Sequence, residues 1–482
     1  MKPRVGLSVM LGLLLVLALI LSGCAVGPRY RRPSVAVPKN WTVDQSAGTT
    51  AGALSAQWWK SFNDDEFNRL IERAISANLD IKIAAARVAE ARGLAGIAKS
   101  GLLPSVSASA SANRNRQPVI AVSPGSPASA KLVPIEFNNY QGGFDASWEL
   151  DVFGSVRRGV QAANADAGAA TEARRDVLVT LLGEVGRSYI ELRGYQLRRD
   201  IAEKNISIQQ DTLHLTEARA KAGLATEFDV SRARAQLETT ESIIPTLQSG
   251  IENSIHHLSV LLGEEPEGLR GELLPVAPVP VLPPEVPTGM PSDLLERRPD
   301  IRETEAEVMA ATARVGQAKA DFFPRFLLLG TAGRQASQLH DITLGMSNVF
   351  GAGPAISLPI FTGGRLRAQL HVQDSRQQQA VIGYRKVILT ALEETEDALV
   401  NYSQEQRRRE HLEDAVKSSE EAVQLSSETY RAGLADFLSV LDAERELYDN
   451  EDLLAESRTT QAVNLVALYK ALGGGWQTIS PP

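Results

Sequence analysis

Proline is missing from residues 135 through 244 and again from 360 through 480, although it is frequent elsewhere in the 482-residue chain. Proline interrupts helix interiors, because it lacks the amide donor and its ring clashes with the preceding turn. Two windows of this length therefore have room for very long helices. In the first window Ser155 to Ala218 reads as one helix, which at 1.5 Å per residue spans about 96 Å. No compact core is that long, so such a helix must lie along a partner helix, as in a coiled coil. One glycine breaks each window, Gly223 and Gly433, and each supplies a reversal through a left-handed turn that needs no Cβ. The chain should thus form two long helical hairpins. Pro245, inside the second helix of the first hairpin, predicts a kink there.

The two windows are copies of one another. Arg219-Ala-Lys-Ala-Gly223-Leu-Ala-Thr-Glu-Phe-Asp-Val resembles Tyr430-Arg-Ala-Gly433-Leu-Ala-Asp-Phe-Leu-Ser-Val, with the glycines 210 positions apart. Leu262-Gly263 and Leu472-Gly473 keep that spacing, while Leu103-Pro104 matches Phe323-Pro324 and Phe153-Gly154 matches Phe361-Thr-Gly363. A repeat this long is a duplicated half rather than a solenoid unit. The order within each half is helix, strand, strand, long helix, turn, long helix. The halves fall at 65–263 and 292–473, joined by a proline-rich extended linker at 264–291 and followed by a tail at 474–482. The proline-punctuated start of segment 24–64, from Pro28 to Trp41, is expected to wrap the surface without regular structure.

At the N-terminus Lys2 and Arg4 precede an apolar run from Val5 to Leu21, then Ser22-Gly23-Cys24. A basic flank, a short apolar core and small residues make a secretory signal covering 1–23. Its run of about 17 apolar residues is at the lower edge of what spans a bilayer. The chain's single cysteine directly after Leu21-Ser22-Gly23 looks like a bacterial lipoprotein signal. That resemblance implies cleavage before Cys24, with S-diacylglycerol and N-acyl groups attached to it. Each buried CH₂ contributes roughly 0.8 kcal/mol, so several acyl chains together anchor stably. Ala25 stands where an aspartate would favour inner-membrane retention, so the outer membrane is the expected address.

Four segments carry strand character. From Tyr140 to Val152 one face reads Tyr140, Gly142, Phe144, Ala146, Trp148, Leu150, Val152 and the other Gln141, Gly143, Asp145, Ser147, Glu149, Asp151. This period-two alternation matches a tilted bilayer-spanning strand in length. Ser105 to Ala112 alternates serine with small apolar residues, and Phe326 to Gly333 and Ala352 to Ile360 occupy the equivalent places in the second half. Any one of them alone would suit a water-facing antiparallel sheet. Four at matching positions in a lipoprotein favour a membrane sheet, with Trp148, Phe153, Phe350 and Phe361 as candidate interfacial anchors. Four strands cannot close a barrel, for which about eight are the minimum. Open edges are not tolerated in lipid, so several copies must pool their strands.

Cys24-Ala-Val-Gly27-Pro28-Arg-Tyr30-Arg-Arg-Pro33, then Trp41, then Trp58-Trp59 before Phe62, resembles the opening of NodT-type efflux lipoproteins, which belong to the TolC-like outer membrane factors. The resemblance covers essentially the whole mature chain. It implies an α+β membrane protein, mainly helical by residue count: a homotrimer whose twelve strands form one β-barrel, continued by a twelve-helix periplasmic α-barrel. It further implies a periplasmic adaptor (membrane fusion protein) and an inner-membrane efflux pump as partners, with outer-membrane lipid around the barrel. In that family the pore narrows at the hairpin tips, where acidic residues of the second repeat ring the axis. Here the matching acid is Asp442, nine after Gly433, while the position six after it is Ser439. Three carboxylates around a narrow axis repel one another and draw cations. Asp229 and Tyr430 match a family pair that links the hairpins in the closed state, whereas a family arginine two after the second glycine is Ala435 here. Gly223-Leu224 and Gly433-Leu434 form the tips, where the leucines either seal the turn or meet an adaptor's helical hairpin.

Composition narrows the alternatives. A formal charge of −8, with 50 basic against 58 acidic residues, argues against nucleic acid. One cysteine and six histidines leave no disulfide framework or multi-histidine metal centre. No G-x-S-x-G, P-loop or H-E-x-x-H pattern appears, so neither an enzyme nor a bound cofactor beyond the lipid is expected. What remains is a passive efflux channel with an iris-like gate exporting small amphiphilic or toxic compounds. Metal-ion efflux, type I polypeptide secretion and a non-conducting structural lipoprotein stay open.

Overall fold

The computed structural model describes residues 25–42, 49–50, 52, 55–121 and 131–478. Helix α1 (Asp65–Ala77) starts where the Asp64 carboxylate accepts the Phe67 amide at 2.9 Å, and it buries Phe67, Leu70, Ile71 and Ala74. Helix α2 (Leu79–Ser100) leads into strands β1 (Ser105–Ala121) and β2 (Lys131–Leu150), and then α3 (Ser155–Lys221). After the Gly223 turn come α4 (Glu227–Glu241) and α5 (Ile244–Leu261). The second half repeats the order with α6 (Pro299–Ala320), β3 (Arg325–Ala336), β4 (Asn348–Ser357), α7 (Arg365–Arg431) and α8 (Phe437–Ala471).

The duplication is kept in element length. Both α3 and α7 have 67 residues, and they begin 210 positions apart; α2 and α6 both have 22 residues, and they begin 220 apart. The ten-residue difference is taken up by the first strand pair, whose 17 and 20 residues exceed the 12 and 10 of the second. The halves differ again beyond the turns. Helix α8 is continuous for 35 residues, but its counterpart breaks at Ser242–Ile243, and Pro245 sits in the first turn of α5. Proline is tolerated there because first-turn amides have no intrahelical acceptor.

Several expected boundaries move. The strand read at Tyr140–Val152 starts nine residues earlier and stops at Leu150, and that read at Ala352–Ile360 is Asn348–Ser357. The linker 264–291 is not wholly extended, since Arg270–Leu273 is helical and Val286–Pro287 pairs in parallel with Thr49–Thr50. Segment 24–64 likewise contains a 3-10 helix at Trp58–Phe62.

Contacts group the chain into two compact units, and each unit draws on both halves. One comprises the stretch ending at Pro33, Ala89–Ala169 and Glu305–Gly383. It holds the antiparallel sheet, in the order β1-β2-β3-β4. The other comprises Ser34–Val88, Ala170–Thr304 and the chain from Tyr384 onward. Aromatics are only 5% of the sequence, yet Trp58, Trp59, Phe62, Phe67, Tyr189 and Tyr469 are all buried in this second unit. Trp58 stacks on Tyr469 at 5.1 Å and Phe67 on Tyr189 at 5.3 Å, geometries that add to plain area burial. Within this unit α3 and α8 are joined by a polar seam. Arg198 donates two hydrogen bonds to Asp452 at 2.7 and 2.8 Å, Asn205 one to Glu451 at 2.9 Å, and Thr212 one to Glu444 at 3.0 Å. The tail contributes too. Trp476 donates to the Arg297 carbonyl at 2.7 Å, with the Arg175 and Arg302 guanidinium groups over its ring at 4.5 and 5.0 Å.

Candidate functional site

The two hairpin turns close in the same way. Gly223 and Gly433 have φ of +73° and +75°, the left-handed region that favours glycine. In the first turn the Leu224 amide bonds the Arg219 carbonyl at 2.8 Å and the Gly223 amide the Ala220 carbonyl at 2.9 Å. Leu434 to Thr429 and Gly433 to Tyr430 repeat the pattern at 2.9 and 3.0 Å, so both helices end in a Schellman motif. A leucine at that position usually packs back on its own helix. Here Leu224 is 70% and Leu434 82% exposed, so neither is used to seal the turn.

The next helices start with the same chemistry in exchanged positions. Thr226 and Asp229 form a capping box: the Asp229 carboxylate accepts the Thr226 amide at 2.9 Å and its hydroxyl at 2.7 Å. In the second repeat the acid comes first. Asp436 accepts the Ser439 amide at 3.1 Å and the Ser439 hydroxyl at 2.7 Å, which holds its carboxyl below the usual carboxylate range. Ser439, at the position where the resemblance implied an acid, is thus the partner of an acid three residues earlier.

Tyr430 is buried in a cluster with Ala233, Phe437, Val440 and Leu441, its ring 5.7 Å from Phe437 and under the Arg219 guanidinium at 4.4 Å. Its hydroxyl has no hydrogen-bond partner among the described residues, and the Asp229 carboxylate is occupied by Thr226. Asp442 lies exposed on the second turn of α8, with Arg445 at 3.4 Å one turn further on. That arginine was not singled out from sequence, although its i, i+3 spacing gives it away.

In the other unit the strand register assigns every side chain to a face. Even-numbered positions pair with even-numbered positions across all four strands, as in Ala108↔Phe144, Phe144↔Ala332 and Ala332↔Phe350. That face carries Val106, Phe144, Trp148, Phe326, Leu328 and Ile356, with Val106, Phe144, Phe350 and Ile356 largely exposed in the single chain. The odd face is polar on β1 and β2, with Ser105, Ser107, Ser109, Ser111 and Asp145, and mixed on β3 and β4, where Leu327, Leu329 and Val349 stand beside Thr331. Gly143 and Gly333 face each other on this side, and a Cβ on Gly143 would lie 2.8 Å from the Gly333 Cα. So close an approach leaves no room for a side chain at this pair. Of the proposed anchors, Phe153 stacks on Phe323 at 4.7 Å and Trp148 donates to the Leu102 carbonyl at 3.0 Å. Phe350 and Phe361 are largely exposed.

Cys24 lies outside the described residues, but the arm that follows it does not. The Val26 amide bonds the Phe153 carbonyl at 3.1 Å, and buried Arg158 reaches the Val26 and Gly27 carbonyls at 3.3 and 3.4 Å. Further on, Tyr30 and Arg32 both bond Glu305, at 2.7 Å and at 2.6–2.9 Å. The residues after Cys24 are therefore docked beside the junction of β2 and α3. Among the described residues no helix is long and apolar enough to cross a membrane, and no acidic or histidine cluster could hold a metal ion.

A sheet with one mainly apolar face, one more polar face and two open edges, carried with paired long helices in duplicate, is the architecture of an outer-membrane channel subunit. The chain belongs to the outer membrane efflux protein family, whose two matched stretches are residues 70–264 and 290–474. It is 32% identical to the solvent efflux pump outer membrane protein SrpC of Pseudomonas putida over 467 residues, 95% of this chain and 97% of that protein. It is equally similar to outer membrane protein OprJ of Pseudomonas aeruginosa, 32% over 479 residues, 98% of this chain and 97% of that protein. The solved outer-membrane channel OprN superposes with a TM-score of 0.88 at 36% identity, covering 94% of this chain and 100% of that one. VceC of Vibrio cholerae gives 0.79 at 29%, covering 88% and 100%. The protein is thus an outer-membrane efflux channel, a conduit rather than an enzyme.

Proposed function

We propose that the chain acts as a homotrimer, its three sheets closing one barrel and its six helical hairpins one periplasmic pore. It passes small amphiphilic or apolar compounds delivered by an inner-membrane pump through a periplasmic adaptor. The observation that carries this reading is the two-faced sheet, which leaves backbone donors and acceptors unpaired at β1 and β4 that lipid cannot satisfy. The cargo class is suggested by relatives named as solvent and toluene efflux pump components. Exposed Leu224 and Leu434 form the adaptor contact, and acyl groups on Cys24 hold the docked arm to the membrane.

The gate is at the tips. Asp442 supplies the acid ring, tempered by Arg445 beside each carboxylate. Asp229 and Tyr430 keep the hairpins closed, Asp229 by fixing the start of α4 and Tyr430 by wedging between Arg219 and Phe437. Planar-bilayer recording of the purified protein tests the reading. The wild type should conduct with cation preference, Asp442→Asn should lose much of that preference, and Asp229→Ala with Tyr430→Ala should raise single-channel conductance. A protein that inserts yet never conducts overturns the channel reading. Unchanged selectivity and conductance in the variants overturn the gate assignment.

A further inference from the structure

The even face of the sheet changes character at one end. Where three or more strands pair, every aromatic residue (Tyr140, Phe144, Trp148, Phe326 and Phe350) is on this face, and both acids, Asp145 and Glu149, are on the other. A face sorted in this way is the one a barrel turns to lipid. On β2 its apolar band runs from Leu150 to Tyr140. Ten residue steps of about 3.3 Å, tilted by about 40°, make the band about 25 Å tall, the height of a membrane-facing girdle.

All four strands end the band at the same end. On consecutive even positions Ala112 gives way to Arg114, Tyr140 to Asn138, Ala332 to Arg334 and Phe350 to Asn348. Past Tyr140↔Ala336, β1 and β2 continue alone as a two-stranded ribbon, whose next even residues are Arg116 and Glu136. Arg114 and Arg116 share Glu136 at 2.7 and 3.6 Å, and their side chains are 75% and 68% exposed. Arg334 is exposed too and donates to the Ile342 carbonyl at 3.1 Å. A guanidinium carries five N–H donors, so most of these stay open to a ligand. Leu132, further out on the same face, lies beyond the arginines. At the opposite end, where the strands join the helices, the even face finishes in Val106, Leu150, Phe326 and Ile356 without a charge.

We propose that Arg114, Arg116 and Arg334 bind the phosphate groups of lipid in the outer leaflet, at the upper border of the apolar band. The inference rests on the barrel reading above, which turns the even face to lipid and the helices to the periplasm. Solubility alone would be served by charges of either sign at either end. Here three arginines and one acid stand at a single end, leaving each chain two positive charges at that border. The planar guanidinium fork matches a phosphate with two parallel N–H donors, which an acyl-chain contact would not call for. Asn138 and Asn348 complete the border with neutral donors and add no acid.

Native mass spectrometry of the purified full-length protein tests the site. The protein is incubated in detergent with bisphosphorylated lipid A, or with the same lipid stripped of its phosphates, and retained lipid is counted. The wild type should hold the phosphorylated form alone, and excess inorganic phosphate should not displace it. Retention should fall by about fivefold per arginine replaced by glutamine, and on the order of a hundredfold for all three. Lysine at the same three positions should restore part of it, and Arg325→Gln, on the odd face at the helical end, should bind as the wild type does. Equal retention of the two lipids, or equal retention by wild type and triple variant, overturns the headgroup site. Displacement by inorganic phosphate makes it a site for the free anion and overturns the lipid assignment. A wild type that never conducts in planar bilayers refutes the barrel reading instead.

Discussion

Glu444 is an acid placed where an acid is costly. It is buried on α8, with one carboxylate oxygen bonded by the Thr212 hydroxyl and the other without a partner among the described residues. Burial raises its pKa above the usual 4.5, and the Thr212 hydrogen bond only partly opposes this. A raised carboxyl pKa means that folding favours the protonated form. Its contribution to stability is full below the unfolded value and is lost as pH rises through the folded one. Glu444→Gln keeps an acceptor for Thr212 and removes the titration. It should raise the melting temperature at about pH 8 and flatten the change between about pH 8 and pH 5. Thermal melts followed by helical circular dichroism at both pH values check this, and an unchanged slope would refute it. Tyr448, one turn on, is also pushed up to about 12 by burial, so no charge from it interferes in this range.

Among the elements, the sheet gives the sharpest contrast between two similar residues. Gly143 faces Gly333 with no space for a Cβ, whereas a Cβ on Gly353, on the same face of β4, would meet nothing within 4 Å. Gly143→Val should therefore destabilise the barrel by about 2–3 kcal/mol through overpacking, while Gly353→Val should cost little. The thermal melting temperatures of the two purified variants read the difference directly. Equal behaviour of the two variants would remove the crowding account. The elements also differ in how far sequence reveals them. The helical hairpins were plain, because a missing proline and a single glycine act through the backbone wherever they stand. The upper halves of β1 and β2 were not, because Pro118 and Pro134 interrupt the pattern there. They lie opposite each other in the ribbon, where β2 has lost its third-strand neighbour and neither amide is needed on the outer side. At the tips, the Thr226–Asp229 box has a local T-x-x-D spacing that the sequence reading did not use, taking Asp229 only as a partner of Tyr430, and the burial of Tyr430 depends on residues from α4 and α8 that no local pattern names.

At the scale of the whole molecule, the arm from Ala25 to Arg32, which follows the proposed acylation site Cys24, is docked on the fold through Phe153, Arg158 and Glu305. Cys24→Ser should remove the acyl groups while leaving that arm docked. Intact-mass spectrometry should show the wild type heavier by its lipid, and outer-membrane fractions should hold less of the variant. A wild-type mass equal to the unmodified mature chain would refute acylation.

The matched 67-residue spans of α3 and α7 also bear on how such a chain can evolve. One residue added to either helix would advance its turn by about 1.5 Å and swing it by about 100° against its twin. Single insertions are therefore punished on one side, and lineages that reach across a wider envelope must make the same edit twice.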